Sequence, residues 1–556
     1  MLLLATTTAA ALACGGLFCN NDAPVDQSGE QIVFDVDEDS GTTTMHVNVA
    51  YEGPSELFAW VVPVNGLPDM FRSHTELFRV LDLTTAPLYN TLTNLDKSCD
   101  ERWMSSDADT DTDTDADSDS DSDTDTDGGG VTVLATDQIA SYEITVLSAT
   151  DAVALTEWLQ ANDYDLPDTM SEALEPYVAG GMNFAAIKLA KDTDAGDLPP
   201  LGITYEGTTP MVPLQLTSVA AVPDMPVTVY LAGDARGVPT NYLHVRLNPM
   251  AVDYFSFGNN LDSVVGRAAD EAGGQAFATL SALKNPTPAY LTYHPSWYDP
   301  ESLHDATHAA DFVDGLARAG FAGTPEVLEV LRTYFPVPDD FPYDENSFYN
   351  SPSYYRSYYD DFVYDPLEVV DALVDAEIAP RQVAQELLDD MPWITRLRSS
   401  VSPSEMTLDP QFGFNPDLEV VGREQTLAIR FACDLNPMST TVEAAPQLLS
   451  WPTGQQLWIP SLDDMFAAGL TYSDFVDPTA AAALYIEQMS TQGPPEILVD
   501  NSPGDPTYGT SPTDPATSAT NATNDSEASG CGCNASSTGG TFGLLLGLGA
   551  VVRRRR

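Results

Sequence analysis

Gln31-Ile-Val-Phe-Asp-Val36, Asp37-Glu-Asp-Ser-Gly41 and Thr44-Met-His-Val-Asn-Val-Ala-Tyr51 read in succession as strand, turn and strand. β-Branched and aromatic residues dominate the two flanking runs, and apolar residues recur at every second position. The acidic, glycine-closed pentapeptide between them has the chemistry of a hairpin loop. Residues 57–64 add a third strand, and 142–147 a fourth. Asp151 is then placed to cap a helix running to Leu159. Strand patterns return at 183–189, 214–222, 227–232 and 242–247.

Helical spacing dominates from there. Residues 312–318 are followed by 325–334, where Val327, Leu331 and Tyr334 share one face. Residues 366–376 and 381–388 read as two more helices, broken near Pro380 and Pro392. The expected class is α+β, with a strand-rich N-terminal half and a helical C-terminal half.

The 556 residues, 43% of them hydrophobic, suffice for a sizeable core in more than one domain. Acids outnumber bases 84 to 22, and Lys97, Lys188, Lys191 and Lys284 are the only lysines. Nucleic acid is therefore excluded as an expected partner, because phosphate binding needs clustered cations. Such a surface favours solubility, divalent cations or basic partners.

From Asp107 to Asp127 every second residue is aspartate, and Gly128 to Gly130 close the run. Mutual repulsion and the lack of apolar side chains predict a solvated, disordered linker over 106–130. Asp123, Asp125, Asp127 and Gly128 imitate the opening of a calcium loop, but Leu134 stands where a bidentate Glu belongs. Weak calcium association is all that the run implies.

The two ends carry addresses. Residues 1–13 form a short apolar segment closing on Ala11-Leu12-Ala13, a small-x-small cleavage pattern before Cys14. No basic n-region precedes it, so a start upstream of Met1 stays open, as does lipidation of Cys14 in place of plain cleavage. At the other end 501–530 contain a Ser/Thr/Asn/Pro/Asp-rich tether, followed by Cys531-Gly532-Cys533, an apolar run over 541–552 and four arginines to Arg556. The apolar run is short of the ~20 residues of a free-standing membrane helix. The arginines would be held on the cytoplasmic side.

Cys14, Cys19, Cys99 and Cys433 are an even set in a compartment that permits disulfides, and three pairings are formally possible. Cys14 with Cys19 and Cys99 with Cys433 is the favoured set, because the first two share one tight Gly-rich loop. One disulfide with two free thiols is the alternative.

Chemistry-bearing patterns are sparse. His304-Asp-Ala-Thr-His308 comes near the zinc-protease His-Glu-x-x-His, but no third ligand follows at a defining spacing. Asp270 and Glu271 beside Gly273-Gly274 could set two carboxylates at a cleft, and Asp409, Asn415 and Asp417 could offer oxygens to a cation. Turn and cap roles explain each equally. No Gly-x-Ser-x-Gly elbow, phosphate loop or dinucleotide fingerprint occurs, so no catalytic residues, cofactor or metal site are assigned.

The most unusual internal segment is 341–364, where ten Phe and Tyr residues alternate with Asp and Ser. Rings with polar handles suit glycan or protein surfaces, which makes Tyr354, Tyr355, Tyr358 and Tyr359 a candidate binding surface. The competing reading is that half of these rings close a core beneath a long loop.

Several segments together resemble the bacterial domain-of-unknown-function 2330 (DUF2330) family. They are Ala13-Cys-Gly-Gly-Leu-Phe-Cys19 with Pro24-Val-Asp-Gln-Ser28, Phe58-Ala-Trp-Val-Val-Pro63, Tyr142-Glu-Ile-Thr-Val-Leu-Ser-Ala-Thr-Asp-Ala152, Pro213-Leu-Gln-Leu-Thr-Ser218, Asp270-Glu-Ala-Gly-Gly-Gln-Ala-Phe277, and Thr395-Arg-Leu397 with Glu405-Met-Thr-Leu-Asp-Pro410. The resemblance runs from about Cys14 to Asp417. It implies membership and no activity. It also makes the aspartate run a local filling of a variable site.

The tail from Gly530 to Arg556 resembles the MYXO-CTERM sorting signal of myxobacteria and their relatives. That resemblance implies a myxosortase-like protease as partner and lipid modification at Cys531 or Cys533.

The expected plan is an export signal (1–13), a DUF2330-like region in two parts (14–105 and 131–500) around the acidic linker, a tether (501–530) and a sorting tail (531–556). The expected protein is a Gram-negative envelope or surface protein, membrane-anchored by its tail. It binds a glycan or surface protein and is not assigned an enzymatic role. An envelope hydrolase using Asp270 and Glu271, or His304 and His308, is the alternative.

Overall fold

The hairpin forms as the alternation demands. Asp26–Asp37 and Thr42–Glu52 pair antiparallel. Asp37 Oδ1 accepts the Asp39 and Ser40 N–H groups at 2.9 and 3.0 Å, and Gly41 takes the left-handed conformation at φ 74°.

The computed structural model describes residues 26–52, 59–95, 130–139, 142–162, 164, 166, 170–189, 199–286, 293–321, 323–433, 442–476, 480–502 and 507–508. By contacts the chain divides into Met1–Tyr508 and Gly509–Arg556. The aspartate run, Cys14, Cys19, Cys99 and the whole second unit with Cys531 and Cys533 lie outside the described residues. Among the described residues no helix is long and apolar enough to cross a membrane.

The hairpin sits inside a ten-stranded mixed sheet, ordered Glu496–Asp500, Ala483–Gln488, Leu243–Leu247, Ala276–Lys284, Trp393–Val401, Met225–Gly233, Asp26–Asp37, Thr42–Glu52, Leu201–Glu206 and Asp69–Arg72. Both faces of its middle are covered. Ile32, Phe34, Met45, Val47, Val227 and Val229 meet Trp60, Val62, Ile144 and Ile187 of a four-stranded sheet made by Ala59–Val64, Asn183–Leu189, Tyr142–Ala149 and Val131–Ile139. Val33, Tyr230 and Ile394 point the other way, onto Leu77, Phe78 and Leu81 of helix Thr75–Thr85 and Ala384 and Leu387 of helix Ala379–Asp390. Alternating burial on two faces is why apolar residues outnumber a simple one-face pattern here.

The four-stranded sheet is backed by Ala152–Ala161 and Met170–Ala179. Asp151 caps the first, its side chain accepting from the Ala154 N–H at 2.8 Å. A five-stranded sheet including Leu88–Leu95, Glu424–Phe431, Gln447–Ser450 and Gln456–Ile459 shares a core with Ala276, Ala278 and Ile486 of the large sheet and with helix Leu261–Glu271. A fifth core, helical and aromatic, gathers residues from Tyr293 to Ile378.

The α+β class holds, and three local expectations do not. Residues 214–222 were expected as a strand, but Leu214–Thr217 is one helical turn, with Gln215 N–H and its side-chain amide both donated to Asp409. Pro380 does not break the helix. Pro366–Leu373 passes through a π-turn at Val374–Ile378 directly into Ala379–Asp390, and the irregular turn accommodates the N–H that Pro380 lacks. Nor is the rear half wholly helical, because Trp393–Val401 is a central strand of the large sheet and further strands follow it to Asp500.

Between the large sheet and the four-stranded one lies Glu30, 5% exposed, beside a void of about 10 Å³ lined by Ile32, Met45, Trp60 and Leu216 among others. Burial pushes its carboxyl up to about 7, against the opposing hydrogen bond from Gln27 Nε2 at 3.4 Å.

Candidate functional site

The aromatic segment divides into a core side and a solvent side. Phe348 and Tyr359 are both buried and stack with centroids 4.3 Å apart at 10°. The Tyr359 hydroxyl donates to Phe348 O, Tyr349 to Phe335 O, both at 3.0 Å, and Tyr364 to Ala306 O at 2.6 Å. These are apolar rings with their polar ends satisfied inside the fold, as buried tyrosines require.

Phe341 forms the boundary. Phe348 meets it from below at 5.1 Å, while Tyr355 and Tyr358 meet it edge-on at 4.9 and 5.2 Å. Outside that layer stand Tyr354, 83% exposed, and Tyr343, 60% exposed, each against Tyr355 at 4.9 and 5.5 Å. Of the four tyrosines expected to form a surface, Tyr354 is exposed and Tyr355 and Tyr358 are half-buried. Tyr359 is a core residue, and the expectation for it is corrected. Tyr343, which the sequence reading left out of that set, takes its place.

Neighbouring groups fix the backbone of this ridge. Asp344 caps Glu345–Asn350 through the Ser347 N–H, which holds the Asp344 carboxyl below its ordinary range. Arg332 bonds Glu345 in bidentate fashion at 2.7 and 2.8 Å, and Arg356 pairs with Asp311. The rings therefore stand on an anchored support.

The other sequence candidates have structural employment. His308 is the N-cap of Ala309–Gly315, its Nδ1 accepting from Ala310 N–H at 3.1 Å and its Nε2 lying 3.0 Å from Asp360. His304 lies before that helix and is exposed, so the two imidazoles do not share a helical face. Glu271 takes the Ala482 and Ala483 N–H groups at 2.9 Å each. Asp270 instead faces an open cleft of about 380 Å³ with Asp224, Asp262, Arg267 and Arg398, where Arg398 is already bonded to Asp262 and Thr228. The acid pair thus points to two different places.

Asp409 accepts from Gln215, Asn415 holds the Ser490 and Gly493 carbonyls, and Asp417 accepts the Gly493 N–H at 2.8 Å. Each is a strap between loops. Among the described residues no group of three or more His, Cys, Asp or Glu is placed to hold a metal ion.

One buried polar cluster has no sequence signal, because its members come from distant strands. His244 lies in the large sheet with Nδ1 2.9 Å from Glu487 Oε2 and Nε2 2.9 Å from Thr279 Oγ1. The Thr279 N–H also points at Nε2 at 3.3 Å, which makes Nε2 the acceptor and Nδ1–H the donor to Glu487. Burial lowers the imidazole's proton affinity despite the Glu487 contact. With His244 at 2% and Glu487 at 4% exposure, the cluster satisfies polar groups across neighbouring strands and offers no open position for a substrate.

Cys433 is buried beyond the end of Glu424–Phe431 and is disulfide-bonded. Its partner falls outside the described residues.

A family model described as "Uncharacterized protein conserved in bacteria" matches residues 8–314. The match ends before the tyrosine ridge and short of Asp417, where the sequence resemblance was expected to run. No curated protein and no solved structure matches the chain.

Proposed function

From the premise that this chain belongs to the DUF2330 family, we propose that it is an exported, envelope-tethered binding protein whose contact surface is the Tyr343–Tyr354–Tyr355 ridge and whose partner is an envelope glycan. The observation that carries the reading is the exposure of Tyr354 and Tyr343 over a ring layer anchored on Phe341. Flat faces pack on sugar rings, phenolic hydroxyls reach sugar hydroxyls, and the anchored support limits the entropy lost on contact.

The test is titration of the ectodomain with a solubilised envelope-glycan fraction. At about 1 kcal/mol per stacking ring, the double variant Tyr343→Ala, Tyr354→Ala is expected to bind roughly 30-fold more weakly with its thermal midpoint unchanged. Undiminished binding would remove the ridge from the function.

Export rests on the apolar front segment and on the ordered tail of cysteine, apolar run and arginines. In this reading a myxosortase-like protease removes the tail near Cys531 or Cys533, one of which accepts lipid, and the destination is the envelope of a Gram-negative cell. Mass spectrometry of the mature protein is expected to find a terminus near these cysteines. An intact, unmodified Arg556 end overturns the tethering.

An oxidising destination agrees with a disulfide at Cys433, and Cys99 is its proposed partner. Parallel pairing of Leu88–Leu95 with Glu424–Phe431 sends both chains onward in the same direction, four residues before Cys99 and two before Cys433, which supports that choice.

A further inference from the structure

Among the described residues Glu496–Asp500 is the terminal strand of the ten-stranded sheet, paired there with Ala483–Gln488 alone. All five residues are exposed, and Ile497, Leu498 and Val499 are 53%, 50% and 40% exposed in succession. An apolar edge of this kind is a template for another strand, and proteins ordinarily blunt or cover it.

Here the strand is held ready at both ends. Asn415 Nδ2 donates to Gly493 O at 2.9 Å and the Gly493 N–H donates to Asp417 at 2.8 Å, with Pro494 and Pro495 stiffening the approach. At the far end the Asn501 N–H donates to Leu484 O and its side-chain amide to Ala483 O, each at 2.9 Å. Little ordering remains to be done when a partner arrives.

We propose that Glu496–Asp500 is a docking edge for an extended, cationic segment of a partner protein, which adds an eleventh strand to the sheet. Charge selects this occupant. Glu496 and Asp500 bracket the apolar triplet, and the chain as a whole carries −62, so lysine or arginine flanking an apolar core complements the edge. A second copy fits badly, because two-fold antiparallel pairing about Leu498 sets Glu496 against Asp500 twice.

The proposal is tested on the full chain by fluorescence anisotropy, with a blocked peptide of alternating lysine and valine as probe and a glutamate-valine peptide of the same pattern beside it. The lysine peptide is expected to bind and to weaken with added salt. Ile497→Asp with Val499→Asp should weaken it roughly tenfold or more. Glu496→Lys with Asp500→Lys should transfer the preference to the glutamate peptide, an exchange that mere loss of structure cannot produce. Absence of binding by the lysine peptide, or equal binding by all three chains, overturns the proposal. So does a wild-type dimer in sedimentation that the Ile497→Asp, Val499→Asp chain loses, since the edge then belongs to a second copy.

Discussion

Phe348→Ala is expected to lower the unfolding free energy by about 3–5 kcal/mol, while Tyr354→Ala, six residues on, shifts it by less than about 0.5 kcal/mol. Phe348 is fully buried and meets Phe341, Tyr349 and Tyr359 within 5.1 Å, so its removal leaves a cavity that a stacked set of rings cannot easily collapse into. Tyr354 touches Tyr355 from outside and leaves only solvent behind. Urea denaturation of the two variants reads the contrast directly. Equal losses would make the ridge part of the core and remove the basis for calling it a contact surface.

The second large effect has the opposite sign. Glu30→Gln is expected to stabilise the protein at neutral pH by on the order of 2 kcal/mol. The native carboxyl is pushed up to about 7, above the ordinary 4.5 that the unfolded chain restores. The folded state therefore holds the proton that the unfolded state has released, and stability falls as pH rises from about 4.5 to about 7. Glutamine keeps the shape and removes the titration. Denaturation midpoints of both chains should converge near pH 4 and separate progressively up to pH 7. A separation that does not change with pH would mean that Glu30 stays ionised in the fold. Asp35 is pushed up to about 6 by burial, with Asp37 and Asp390 adding to it, and remains in both chains, so it cancels from the difference.

Local chemistry was legible where a short segment carries its own instruction. The loop acids and Gly41 announced the hairpin, Asp151 its helix, and the spacing of Val327 and Leu331 the helix Pro325–Tyr334, in which both are buried. The misreadings share one cause, which is that tertiary partners decided the outcome. Residues 214–222 alternate like a strand, yet Asp409, almost two hundred residues away, takes the Gln215 N–H and closes a helical turn. Trp393–Val401 was missed because its apolar residues serve two faces at once and show no single period.

The same holds for chemistry. The tyrosine-rich segment was conspicuous, but which rings face outward depends on Phe341 and Phe348, and periodicity does not separate Tyr354 from Tyr359. His244, Thr279 and Glu487 meet only because their strands do. No spacing along the chain encodes that.

The order of strands in the large sheet sets a timetable for its assembly. Asp26–Asp37 has the adjacent hairpin strand on one side, but on the other it pairs with Met225–Gly233, which in turn pairs with Trp393–Val401. At roughly 5–20 residues per second, each later strand leaves the ribosome some ten to forty seconds after the one it must join. Loop closure over such separations is slow even when the whole chain is present. The sheet cannot close before those strands emerge, and until then the early hairpin, apolar on one face, waits with both outer edges open.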